Sequence, residues 1–112
     1  MTSPITTHIL DTSRGRPAAG VTVTLERQGD GWEHLGRGVT NADGRVTDLM
    51  APGSLQAGVH RIRFATGEYW DALGSSGFYP FVEIVFEVGA TDEHYHVPLL
   101  LNPYGYSTYR GS

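Results

Sequence analysis

Val82-Glu83-Ile84-Val85-Phe86-Glu87-Val88 decides the fold class. Val82, Ile84, Phe86 and Val88 fall on one face, and Glu83, Val85 and Glu87 fall on the other. Successive side chains of an extended strand point to opposite sides, so this alternation describes a strand with one buried face and one wetter face. The same rhythm recurs in Val21-Thr22-Val23-Thr24-Leu25-Glu26. Between such runs lie turn residues at short intervals: Gly15, Pro17, Gly20, Gly29 to Gly31, Asn41 to Gly44, Pro52-Gly53, Gly58, Gly67, Gly74 to Gly77, Gly89 and Asn102-Pro103. Short strands with regular turn signals indicate an all-β sandwich or barrel.

Working outward, the pattern predicts about eight strands, near 4–11, 20–27, 32–39, 44–48, 58–66, 81–89, 94–101 and 104–110. The segment 67–73, with Glu68, Tyr69, Trp70 and Asp71, is too polar and brief for a core strand and suits one short helix. About two helical turns are marginal alone, so this helix has to pack on a sheet. No repeat, low-complexity tract or linker divides the chain, and residues 1–112 are expected to form a single domain.

The bulk numbers exclude several function classes. With 39% hydrophobic and 18% charged residues, the chain has a globular balance rather than a disordered one. Only 8 Lys plus Arg stand against 12 Asp plus Glu, giving a net charge of −4. There is no basic stripe for phosphates, so nucleic acid is not an expected partner. The absence of cysteine removes disulfides, thiolate catalysis and Cys-ligated metal. No apolar run is long enough to span a membrane, and the start Met-Thr-Ser-Pro-Ile-Thr-Thr-His lacks a secretory pattern. A cytoplasmic location is the expectation.

The chemistry must come from few groups. Histidine titrates nearest neutral pH, and the chain has His8, His34, His60, His94 and His96. In Ile5-Thr6-Thr7-His8-Ile9-Leu10, alternation puts Thr6, His8 and Leu10 opposite the apolar row Ile5, Thr7 and Ile9. In the strand from His94, the residues Tyr95, Val97, Leu99 and Leu101 form the core row, and His94, His96, Pro98 and Leu100 lie opposite. Both His8 and His96 therefore face solvent, a cleft or a partner subunit. An ordinary surface histidine is the plain alternative for each. His94 and His96 project the same way, which also allows a zinc reading with His8, although such a site needs three or four ligands.

Arg45 follows the turn Asn41-Ala42-Asp43-Gly44. It is either a charged residue just past a turn or a clamp for an oxyanion or carbonyl, since guanidinium is a permanently charged planar fork of donors. The end of the chain, Tyr104-Gly105-Tyr106-Ser107-Thr108-Tyr109-Arg110-Gly111-Ser112, alternates and is rich in tyrosine. Chain ends are usually frayed. This one reads as an ordered last strand that carries Arg110 and a hydroxyl to a fixed place.

These residues carry a family likeness over nearly the whole length. The segments are Thr7-His8-Ile9-Leu10-Asp11-Thr12, Gly15-Arg16-Pro17-Ala18, Thr40-Asn41-Ala42-Asp43-Gly44-Arg45, Phe78-Tyr79-Pro80-Phe81 and, most strongly, His94 through Ser112. The chain resembles the hydroxyisourate hydrolase branch of the transthyretin-like family, and the ending Tyr109-Arg110-Gly111-Ser112 resembles the enzymes rather than the hormone carriers.

The resemblance implies a transthyretin-like two-sheet β-sandwich with one short helix. It implies a homotetramer with sites at the dimer–dimer interface, so a monomeric variant is expected to be inactive. It implies hydrolysis of the cyclic amide of 5-hydroxyisourate, a small purine-derived substrate, in urate degradation, with no metal and no cofactor. Residue by residue, it implies His8, Arg45, His96 and Ser112 as catalytic, with His8, Arg45 and Tyr109 binding substrate. The last residue would contribute its hydroxyl or an α-carboxylate. The alternative is a transthyretin-like carrier of a small aromatic ligand, whose central channel would be lined by apolar or small groups.

Overall fold

A computed structural model describes residues 3–112 of the chain. Its strands are β1 (Ile5–Asp11), β2 (Arg16–Pro17), β3 (Thr22–Gln28), β4 (Trp32–Val39), β5 (Arg45–Val46), β6 (Gly58–Phe64), β7 (Val82–Val88), β8 (Tyr95–Asn102) and β9 (Gly105–Thr108). One helix, α1 (Thr66–Ala72), follows β6. The strands form two sheets. One runs β2-β1-β8-β9, with β5 also pairing with β1, and the other runs β4-β3-β6-β7.

Alternation accounts for which faces meet. Ile5 and Ile9 of β1 are buried with Val97, Leu99 and Leu101 of β8, and they oppose Val23 and Leu25 of β3, Ile62 and Phe64 of β6, and Val82 and Val88 of β7. Fully burying one such side chain is worth about 1.5–3 kcal/mol. The helix is tied to the core by Tyr69 and Trp70, both buried. The Tyr69 hydroxyl donates to Asp11 Oδ2 at 2.7 Å, while the Ser13 amide and hydroxyl donate to Oδ1 at 3.0 and 2.6 Å. Asp11 is wholly buried and needs these donors.

Most expected bounds move by one or two residues, and three larger differences have a physical reason. The strand expected near 44–48 is only Arg45–Val46, because Gly44 belongs to the preceding turn with a φ of 74°. A β carbon there would come within 2.5 Å of the Ile9 carbonyl oxygen, so both conformation and space call for glycine. The two-residue β2, pairing Pro17 with Leu10, was not foreseen and brings the count to nine among the described residues. The last strand ends at Thr108 instead of 110, and the tail then returns to β8 through the Gly111 amide, which donates to the His96 carbonyl at 2.8 Å.

The pairing that matters most is β1 with β8. It is parallel, with Thr6 opposite His96 and His8 opposite Pro98. On its other side β1 meets β5 antiparallel, with His8 opposite Arg45. The outward face of this sheet thus gathers side chains from both ends of the chain.

Candidate active site

His8 and His96 are half-buried on the face opposite the core, where the alternation predicts them. The turn before β5 delivers Arg45. Asn41 Oδ1 accepts from the Asp43 amide at 2.9 Å and the Arg45 amide at 3.1 Å, which holds the turn and sets Arg45 beside His8. An Asn side chain that bonds to the backbone two residues on is a local way of making a turn.

The tail is pinned at several points. The Thr108 hydroxyl donates to the Pro98 carbonyl at 2.7 Å, and Arg110 pairs with Glu93 at 2.8 Å while stacking over Tyr95 at 4.5 Å. Gly111 lies under the His96 ring, where a β carbon would come within 2.6 Å of Cδ2. The absence of a side chain at 111 lets the tail pass beneath the imidazole and carry Ser112 to the site.

A shallow depression of about 360 Å³ results, lined by Thr6, Thr7, Arg45, Thr47, His94, His96 and Ser112. Three of the residues singled out in the sequence, Arg45, His96 and Ser112, meet here. His8 stands next to Arg45 across the ladder and is felt electrostatically by His96. Tyr109 does not line this depression. It is exposed on the other side of His96, in a groove of about 240 Å³ beside β7.

Charge is arranged to keep the imidazoles neutral. Burial lowers the His8 pKa below its usual 6.5, the Arg45 cation lowers it further, and a hydrogen bond to the Asp43 backbone opposes the fall. For His96 burial again dominates, followed by Arg45, His94 and His8, all lowering it. Desolvation and nearby positive charge both disfavour an imidazolium. A neutral imidazole can accept a proton at pH 7, and a guanidinium beside it can meet developing negative charge.

Sequence reasoning missed Thr6 as part of this site. Its hydroxyl lies 2.9 Å from His94 Nε2 and 2.9 Å from His96 Nδ1. Alternation placed Thr6 on the His8 face, but only the parallel register sets it opposite His96. His60 is a different kind of histidine. It is wholly buried, stacks on Phe86, and bonds to the Gly58 carbonyl through Nδ1 at 3.0 Å. Among the described residues no three His, Cys, Asp or Glu are grouped so as to hold a metal ion. Nor is any described helix long and apolar enough to cross a membrane.

Fold and site together define a transthyretin-like sandwich with a polar, histidine-bearing outer face. Residues 5–111 match the HIUase/Transthyretin family, and the chain belongs to that family. It is 43% identical to 5-hydroxyisourate hydrolase of Mus musculus, over 98% of this chain and 96% of the mouse protein. The structure of Klebsiella pneumoniae 5-hydroxyisourate hydrolase is 41% identical and superposes with a TM-score of 0.85 over 100% of both chains. Sea bream transthyretin in complex with thyroxine is 35% identical, with a TM-score of 0.91 over 97% of this chain and 95% of its own. One backbone thus occurs both in a 5-hydroxyisourate hydrolase and in a thyroxine-bound transthyretin, and function has to be argued from the site.

Proposed function

We propose that this chain is a hydrolase that opens the cyclic amide of 5-hydroxyisourate, giving 2-oxo-4-hydroxy-4-carboxy-5-ureidoimidazoline. The observation that carries the reading is the convergence of Arg45, His96 and Ser112 on one depression, with His8 paired to Arg45 beside it. A polar, titratable lining suits a hydrophilic oxidised purine. The carrier reading would need an apolar wall here.

The reaction needs a base for water, donors for the oxyanion and an acid for the leaving nitrogen. Water oxygen bonds to the ring carbonyl carbon as an imidazole takes its proton. Arg45 holds the purine carbonyls and offsets the charge growing on oxygen. The carbon–nitrogen bond then breaks as the nitrogen receives a proton, which opens the ring. His8 and His96 divide the acid and base work, Ser112 assists from the tail, and Tyr109, in the adjoining groove that His96 also lines, contributes to substrate binding from there.

The assembly proposed is a homotetramer with this depression at the dimer–dimer interface. Supporting it are the large apolar side chains left exposed on one chain, among them Phe78 at 70%, Val85 at 59% and Tyr104 at 76%. The free edges of β7 and β9 also border a common groove.

The direct experiment follows 5-hydroxyisourate absorbance after urate oxidation. Added protein is expected to speed its loss well above the spontaneous decay. A decay no faster than the blank refutes the hydrolase reading, and tight binding of an aromatic ligand without turnover supports the carrier instead.

The tail can be tested separately. Deleting Ser112 is expected to lower kcat more than Ser112→Ala does if the chain end itself matters, whereas equal losses assign the effect to the hydroxyl. Two variants with wild-type turnover would remove Ser112 from the site.

A further inference from the structure

Thr6 is almost fully buried, at 6% exposure, yet its hydroxyl touches two imidazoles at once. It lies 2.9 Å from His94 Nε2 and 2.9 Å from His96 Nδ1. A hydroxyl has a single proton. It can donate to one of these nitrogens and must then accept from the other. Thr6 therefore joins His94 and His96 in one hydrogen-bonded chain, along which a proton can pass. His94 is exposed to solvent, while His96 is half-buried beside Arg45.

We propose that Thr6 and His94 are positioning residues that form a proton relay with His96, parking the proton of the attacking water on His94 between attack and ring opening. This deepens the reading that His96 performs acid–base work in amide hydrolysis, and rests on it. At rest, His96 Nδ1–H donates to Thr6 Oγ1, and Thr6 O–H donates to His94 Nε2. That leaves the lone pair of His96 Nε2 for water.

When Nε2 takes the water proton, the Nδ1 proton moves to Thr6 and the Thr6 proton moves to His94 Nε2. His96 is again neutral and now carries its proton on Nε2, facing the leaving nitrogen. The positive charge sits on exposed His94. During ring opening Nε2 gives its proton to the nitrogen, and the two relay protons return. One proton has passed from water to nitrogen, and all three residues end as they began.

The physical gain is in where the charge waits. The charged and titratable groups around His96 are His8 and Arg45 on the adjoining strands, His94 on its own segment, Ser112 at the end of the tail, and Glu87, Tyr109 and Arg110, the last paired with Glu93, along the opposite groove. An imidazolium held at His96 would be desolvated and close to the Arg45 cation, as the lowered pKa of His96 reflects. On His94 the same charge sits on the less buried of the two rings, one Thr6 hydroxyl removed from His96.

The test uses Thr6→Val, Thr6→Ser, His94→Gln and the double variant of Thr6→Val with His94→Gln, in the intact enzyme. Thr6→Val keeps the shape and loses the hydroxyl. It is expected to lower kcat roughly tenfold to hundredfold, below the 10²–10⁴-fold typical of a positioned acid or base, with KM little changed. Thr6→Ser is expected to restore most of that loss. His94→Gln can still bond to Thr6 but cannot hold the proton, so it is expected to show a similar loss. The double variant is expected to lose no more than either single one, since residues in one network are not additive.

In mixed light and heavy water, the wild-type rate is expected to bend with deuterium fraction, as several protons move together, and to become linear in Thr6→Val. Wild-type kcat in Thr6→Val, losses that multiply in the double variant, or an equal loss in Thr6→Ser would each overturn the relay. Full activity in His96→Ala would overturn the underlying reading as well, which separates the two failures.

Discussion

His96→Ala is expected to lower kcat by about 10²–10⁴-fold, the range for a positioned general acid or base. Three observations single out this imidazole. Its Nδ1 is tied to the Thr6 hydroxyl at 2.9 Å, which leaves Nε2 for substrate. Its ring lies against Gly111, and it lines the same depression as Arg45 and Ser112. Structural damage should be slight, because the tail is held to the backbone carbonyl of residue 96, and alanine keeps that acceptor for the Gly111 amide. A thermal melt alongside the kinetics distinguishes loss of chemistry from loss of fold. Turnover within a few-fold of wild type, with a normal melt, would remove His96 from the mechanism.

The second large effect belongs to Arg45→Ala. Loss of one preorganised donor to an oxyanion costs about 10²–10³-fold in kcat. A second consequence follows in pH dependence. Burial first, and then the Arg45 cation, hold the His8 and His96 pKa values below 6.5. A reaction needing a neutral imidazole keeps its activity above that lowered value and loses it as pH falls through it. The acid limb of kcat/KM is therefore expected below pH 6.5 in the wild type. Removing the cation makes the imidazolium less unfavourable, raises both pKa values and moves the limb to higher pH. The residual activity of Arg45→Ala measured across pH checks the shift. An unmoved or downward-moved limb would mean that Arg45 does not face the working imidazole. Arg45→Lys keeps the charge but not the planar fork. It should hold the limb in place while recovering only part of kcat.

Much of the framework was legible without coordinates. The apolar rows Val82-Ile84-Phe86-Val88 and Tyr95-Val97-Leu99-Leu101 revealed strands and their buried faces, since a period of two leaves little choice once one side must leave water. The same rule put His8 and His96 outward, and they are outward. The turn at Asn41–Gly44 was readable from residue types alone, because an Asn carbonyl and a glycine at positive φ are local solutions. The length of β5 was not, since strand length depends on how far a partner continues the ladder, and β5 has only Thr7 and His8 of β1 opposite it.

Alternation and turn chemistry by themselves determined an all-β chain with two outward histidines, an arginine after a tight turn and an ordered tail. These are properties of neighbouring residues, and local sterics and hydrophobicity decide them. The likeness of His94 through Ser112 to one family turned that description into an expected enzyme. What the residues could not state was who stands beside whom. Only the folded sheets pair β1 with β8 in parallel and β1 with β5 in register, which brings Thr6 between His94 and His96 and sets Arg45 against His8. The Thr6 contacts join positions 88 and 90 residues apart. Contacts so distant come from closing the whole core, where many apolar faces must be satisfied together, so no single segment encodes them.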